Sequence, residues 1–398
     1  MSIVIQTGFD GSCPHSSKGV RRDGRGRYRF TPGLRRGPGL GEEVPGKGSR
    51  FSTRLLNTGT KAQTVDLVVD WATEARVEHH DLAYIRHEHE TEWKMIPGRR
   101  DGARIGFRLS LPPGLTHMGL FPEYNVEQAG EFIRDLKSRK VRVEIAGRSR
   151  EHRPIWLIRF DSSNPKARSF LIQTRDHAYE TAGSYCAEGI AQFLASDDPI
   201  ARYLLSKFSV YILPMTNPDG VYNGMSQRTW ERGPRMDNVF DIKDSALTTV
   251  KRVVDRIKPG VYLTIHNWTH KFNDGLLYGL HEPVAALIQR FMPDDVTHYK
   301  HWDARPLSYI KMKAMKLVNM AEYVRRGHDT TGLDKGGKAL HVLSGIISHW
   351  CIYCEEFYGA VSLAMEFPWF ARNTADMREK GKKAFIATAL SVIEHQKL

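Results

Sequence analysis

The chain has 398 residues, 41% of them hydrophobic and 26% charged, with 58 Lys and Arg against 45 Asp and Glu and a formal charge of +13. That usage is ordinary for globular proteins and excludes a disordered or fibrous chain; the length suffices for two or three domains. No segment approaches the roughly 18–20 uninterrupted apolar residues of a membrane span, and four cysteines are too few for a disulfide framework.

Taken from the start, MSIVIQTGFDGS lacks the basic start and apolar run of a secretory signal, so a cytoplasmic protein is expected. Seven arginines fall between Arg21 and Arg36 among glycines. A solvated, poorly ordered surface loop is the expectation, and a phosphate- or acidic-peptide-binding loop is the alternative. No helix-turn-helix or aromatic RNA-binding signature follows, so nucleic acid is not an expected partner. FSTRLLNTG, AQTVDLVVDW and ARIGFRLSL alternate apolar and polar residues between turn residues, which predicts a small antiparallel β-sandwich over residues 1–115. Pro112, Pro113 and Gly114 mark its end. Beyond them NVEQAGEFIRDLKS has helical spacing, VRVEIAG and PIWLIRF read as strands, and strands and helices alternate to the end. Residues 116–398 are therefore expected to form one α/β domain with a mixed or largely parallel sheet.

Within it, four apolar runs end in chemically useful residues. SFLIQTRDHAYE leads to His177 and Glu180, SVYILPMTNPDG to Asn217–Gly220, VYLTIHNW to His266, and VSLAMEFP to Glu366. Ligands of open α/β sheets bind beyond the carboxyl ends of the strands, where these segments converge. His177 and Glu180, three apart, point the same way on a turn or first helical turn. A second histidine from another strand completes a His₂Glu donor set with an open fourth position, as in catalytic zinc sites. His270 follows His266 by four residues, a spacing that needs a helix where a strand end is expected, so it is left out of the set.

TRDHAYE, LPMTNPDGVYNG, TIHNW and SLAMEFP in this order resemble the zinc metallocarboxypeptidase family, and within it the cytosolic-carboxypeptidase-like branch. The resemblance runs from FPEY to the last strand. It implies a mixed-sheet catalytic domain behind a β-sandwich that packs beside the active-site rim. It also implies one zinc ion on His177, Glu180 and His266, and Glu366 as the general base that takes a proton from the attacking water and passes it to the leaving nitrogen. Arg228, eight residues after Gly220 and five before Gly233, matches the family's oxyanion arginine. The expected reaction is hydrolysis of the C-terminal peptide bond of a peptide or protein, acidic ends being favoured by the positive charge.

Two departures bear on that expectation. Aligned on Gly233, Asp237 and Asn238 stand where the family has the Asn and Arg that clamp a terminal carboxylate, and Arg235 stands where it has an aspartate. Arg235 and Asn238 are the substrate-binding candidates, without the bidentate fork in its expected place. Hydrolysis of another amide (a modified or side-chain-linked peptide, or an acylated amino acid) and a catalytically inactive peptide-binding relative are the alternatives. His341, three residues before Ser344-Gly345, replaces the tyrosine that assists the leaving group, with Tyr358 a second candidate. Glu355 and Glu356 are expected in a polar turn, as surface carboxylates. The pair Cys351-x-x-Cys354 is expected to be buried and without a role.

Overall fold

The computed structural model describes residues 3–34, 44–45, 50–71, 81–139, 141–226, 229–231, 244–267, 275–279, 281–298 and 350–396. Residues of alternating polarity build the N-terminal part into two five-stranded sheets. One runs Ile3–Gln6, Ser52–Asn57, Gly114–Gly119, Leu82–His87, Lys94–Pro97; the other Arg99–Asp101, Arg104–Leu111, Gln63–Asp70, Tyr28–Phe30, Val20–Arg22. Phe30, Leu55, Leu67, Val69, Ile105, Phe107 and Met118 from both sheets share one core. Every pairing in them is antiparallel save Tyr28–Phe30 with Gln63–Asp70, which is parallel.

Two local expectations are corrected here. Pro112 and Pro113 end one strand, but Gly114 (φ +97°) turns the chain directly into Gly114–Gly119, which lies across position 115 and pairs with Ser52–Asn57 and Leu82–His87. The arginine-rich stretch through residue 30 is a hairpin rather than a loose loop. Asp23 accepts from the amides of Arg25 and Arg27, and Phe30 anchors the returning strand in the core. Arg35 and Arg36 lie outside the described residues.

The second part is built on an eight-stranded mixed sheet: Arg142–Arg148, Pro154–Phe160, Phe208–Leu213, Arg168–Thr174, Val261–His266, Val361–Glu366, Gly275–Gly279 and Val296–His298. Its four central strands, from Phe208–Leu213 to Val361–Glu366, are parallel. They are buried on both faces, so they read as continuous apolar runs. Phe170, Ile172, Leu263 and Ile265 face one core, with helices Val126–Ser138, Thr181–Leu194, Pro199–Lys207, Glu282–Phe291 and Thr374–Gln396. Leu171, Tyr262 and Ala364 face the other, with helices Ser245–Ile257 and Trp350–Tyr358. Helix Thr181–Leu194 is buried on nearly every side, enclosed between the sheet and Thr374–Gln396. The helices cross at Gly189 and Gly381, where an added Cβ would run into the partner backbone. No described helix is long and apolar enough to cross a membrane.

From Arg168–Thr174 the chain passes to Phe208–Leu213 on one side, and the next strand, Val261–His266, lies on the other. The order therefore reverses between Arg168–Thr174 and Val261–His266, opening a crevice at their carboxyl ends.

Helix Ser245–Ile257 begins at Asp244, a 1%-exposed carboxylate that accepts from the amides of Ala246 and Leu247. Burial pushes its carboxyl up to about 6. A folded-state value above the unfolded ~3.9 means that this group's stabilising contribution is complete below about pH 4 and is lost as pH rises through about 6. Two units correspond to at most about 3 kcal/mol. Asp244→Asn keeps the cap without the charge. It is expected to flatten stability between pH 4 and 6 and to raise it by about 1–3 kcal/mol at pH 8, measured by urea midpoints. A variant less stable than the parent at pH 8 would show that the charged carboxylate is compensated in the fold.

Candidate active site

Strand Arg168–Thr174 ends in the segment that carries His177 and Glu180. Two backbone bonds tighten it, from the Glu180 amide to His177 O (3.0 Å) and from the Thr181 amide to Tyr179 O (3.0 Å). Glu180 immediately precedes helix Thr181–Leu194, so the expected turn geometry for the two side chains holds. The helix start lies against the next strand because residue 183 is glycine: a Cβ there would sit 2.6 Å from Ile265 O. That contact places His266, the last residue of Val261–His266, opposite Glu180.

The three side chains meet. Nδ1 of His177 lies 2.7 Å from Glu180 Oε1, and Nδ1 of His266 lies 2.8 Å from Glu180 Oε2, with the imidazole centroids 5.2 Å apart. All three are buried, and one donor atom from each falls within 4.8 Å of the others. A tetrahedral ion with ligands at 2.0–2.1 Å spaces them by about 3.3 Å, so small rotations bring this set onto zinc. Two imidazoles and one carboxylate are also the donor chemistry that zinc takes in catalytic sites. The residues fit the ion. Burial alone would raise the Glu180 carboxyl, but the two imidazoles override it and hold it well below the usual carboxylate range. Burial opposes charge on His266 as well, and Glu180 outweighs it, lifting the imidazole to about 10.

A layer behind the donors was not visible as a motif. Asp176, 1% exposed, takes bonds on Oδ1 from Thr216 Oγ1 (2.6 Å) and Gln173 Nε2 (2.8 Å), and its carbonyl accepts from Asn217 Nδ2 (3.1 Å). Thr174 Oγ1 donates to Pro214 O at 2.8 Å. These bonds join the ends of two neighbouring strands beneath His177. Oγ1 of Thr264 lies 3.0 Å from Nε2 of His266, on the side away from Glu180. Only the period-two spacing of Thr264 and His266 on one strand could have signalled that contact.

The NPDG segment forms helix Pro218–Tyr222, capped by Asn217 Oδ1, which accepts from the Gly220 amide at 3.1 Å. Asp219 is structural here: it accepts from Ser149 Oγ (2.6 Å), the Glu151 amide (2.9 Å) and Arg153 Nη1 (2.7 Å).

Glu366 ends Val361–Glu366 and is the register partner of His266, with the Phe367 amide bonded to His266 O at 3.1 Å. It is half-buried at the same strand ends as the donors. Tyr358 is not beside it. That residue closes helix Trp350–Tyr358 at the amino end of the strand, and its hydroxyl donates to Asp255 Oδ1 at 2.7 Å, as does that of Tyr353. Tyr358 is therefore withdrawn as a proton donor. Glu355 and Glu356 lie on the same helix rather than in a turn, because Trp350, Tyr353, Cys354 and Phe357 supply helical apolar spacing. Cys351 and Cys354 lie on that helix, buried in the core, form no disulfide, and have their thiols pushed up by burial. Arg228, Arg235, Asp237, Asn238, His270 and His341 lie outside the described residues.

Residues 127–270 match the zinc carboxypeptidase family model, Peptidase_M14. Cytosolic carboxypeptidase 2 of Xenopus tropicalis is 28% identical over 142 residues, 33% of this chain and 15% of its own length. Cytosolic carboxypeptidase 2 of Danio rerio is 32% identical over 122 residues, 29% of this chain and 17% of its own. The matches thus span less than a fifth of those relatives. In fold, the chain superposes on the crystal structure of a metallo-carboxypeptidase from Burkholderia cenocepacia with TM-score 0.75 at 17% identity, over 99% of this chain and 100% of that one. The chain thus has the fold of that metallo-carboxypeptidase structure, and its residues 127–270, which carry three of the four segments that converge on the crevice, match the zinc carboxypeptidase family model and are similar to the cytosolic carboxypeptidases.

Proposed function

We propose that the protein is a cytoplasmic, zinc-dependent carboxypeptidase that hydrolyses the C-terminal peptide bond of peptides or proteins. The observation that carries this reading is the convergence of His177, Glu180 and His266 in the crevice, with Glu366 ending the adjacent strand. One zinc ion would be held by those three side chains and would supply Lewis-acid activation of the water nucleophile and of the scissile carbonyl. Glu366, beside His266, accepts the proton of the attacking water and returns it to the leaving nitrogen. Arg228 is assigned to the developing oxyanion, and Arg235, Asn238 and His341 to substrate and leaving group, on the sequence alone. The cytoplasmic assignment rests on the relatives' names and on the low cysteine count. The +13 charge favours acidic peptide ends.

The altered Asp237-Asn238 pair makes the terminal carboxylate the decisive variable. Zinc-loaded protein is to be given peptides with acidic, basic and apolar ends, each with a free or an amidated C-terminus, and the products weighed by mass spectrometry. Loss of single terminal residues from the free-ended set alone is the expected result. It would mean that Arg235 or another cation replaces the missing fork. Equal cleavage of amidated peptides would overturn the carboxypeptidase reading in favour of a different amide hydrolase. Zinc uptake without cleavage of either set would favour a binding role.

A further inference from the structure

Arg50 enters the sandwich strand Ser52–Asn57, yet its guanidinium is buried in the second domain. It is 5% exposed. Nη1 donates to Ala178 O at 3.1 Å and lies 3.4 Å from Val221 O. Ala178 stands between His177 and Glu180, and Val221 is on the NPDG helix. One side chain of the sandwich thus joins the segment bearing two metal donors to the helix leading toward Arg228. Around it, the Gly11 amide bonds Tyr222 O at 3.0 Å, and Gly224 (φ +66°) packs on Ser12 O. The Arg50 backbone is fixed in turn by Cys13, whose thiol donates to Arg50 O at 3.2 Å.

A second guanidinium reaches the same carbonyl. Arg175 Nε donates to Ala178 O at 2.9 Å and Nη2 to Tyr124 O at 2.8 Å, from a residue held at φ +61° and fully buried. Two buried cations on one neutral carbonyl, one of them on a left-handed backbone, form a costly arrangement. Hydrophobic packing would join the domains at lower cost. What the arrangement supplies is direction: with both lone pairs of Ala178 O engaged, the peptide planes between His177 and Glu180 have little freedom to rotate.

We propose that Arg50 is a positioning residue of the metal centre, through which the N-terminal sandwich fixes the orientation of His177 and Glu180. This rests on the reading of those residues as zinc ligands. Outer partners of metal ligands typically govern affinity by about 10–100-fold, and Arg50 acts at one remove on two ligands at once.

The test uses the full chain with Arg50→Met and Arg50→Lys, each assayed well below its own melting temperature. Zinc dissociation constants are read by competition with a chromophoric chelator, ligand geometry by the visible spectrum of the cobalt(II)-substituted protein, and kcat and KM separately. For Arg50→Met the expectation is zinc binding weaker by about 10–100-fold, a shifted cobalt spectrum, and a fall in kcat with KM within about twofold. Arg50→Lys, which keeps the charge and a donor, is expected to recover part of each. If Arg50→Met does not fold, the lysine variant still decides through the same readouts. A purely structural contact would lower the melting temperature and leave zinc affinity and the cobalt spectrum at wild-type values, which overturns the proposal. Wild-type protein that takes up no zinc overturns the proposed function and this inference together. Wild-type protein that binds zinc no better than folded Arg50 variants overturns the inference alone.

Discussion

Glu366→Gln is expected to retain one zinc per chain and to lose about 10²–10⁴-fold in kcat. Glutamine has nearly the same shape and can occupy the end of Val361–Glu366 without disturbing the ladder to His266. It cannot take up a proton at neutral pH, so the loss isolates proton transfer from positioning. Zinc content by elemental analysis and single-turnover kinetics on a free-ended peptide check it together. The geometry excludes the sequence rivals: Glu355 and Glu356 lie on helix Trp350–Tyr358, which precedes the strand and meets its amino end. A loss under about tenfold with zinc intact would mean that another group carries the proton.

The elements that place Glu366 were readable because buried parallel strands leave a plain mark. LIQT, YILP, LTIH and LAME are apolar on both faces, and a polar residue directly after such a run stands at a strand end. Four such ends in one domain, three of them followed by His or Glu, pointed to the crevice and to the His177, Glu180 and His266 group gathered there. The supporting layer left no such mark. Asp176 binds Thr216, forty residues on, and Arg50 binds a carbonyl 128 residues away. A backbone acceptor has no sequence identity, so the partner of Arg50 cannot be inferred from residue type, and Thr216 is one of many hydroxyls that could serve Asp176. The same limit explains Tyr358. Its aromatic ring before the catalytic strand suggested nearness to Glu366, but six residues of extended chain, Val361–Glu366, separate the two ends of that strand. In the sandwich, Pro112-Pro113 correctly signalled a break. The strand beyond it was missed because the chain passes at Gly114 (φ +97°) directly from one sheet of the sandwich into the other.

Glu180→Gln is expected to abolish stoichiometric zinc binding and, with it, catalysis. In the protein as it stands the carboxylate accepts from both imidazoles, so the donor set is already gathered by its own charges. Chelation of the wild-type protein should therefore leave a folded chain whose melting temperature drops by the linkage term alone: about 4 kcal/mol of stabilisation when zinc stands at 1,000 times its dissociation constant. Glutamine keeps the volume of the side chain and removes the charge that both draws the histidines together and binds the cation. Zinc affinity should fall by more than the roughly 10–100-fold that follows loss of a supporting partner, since a direct ligand is lost. The measurement is a thermal melt of both proteins with and without zinc, alongside metal analysis. Wild-type protein should melt higher with zinc, and the variant should be insensitive to it. A variant that still bound one zinc and melted higher with it would remove Glu180 from the ligand set and leave the two histidines in need of another third donor.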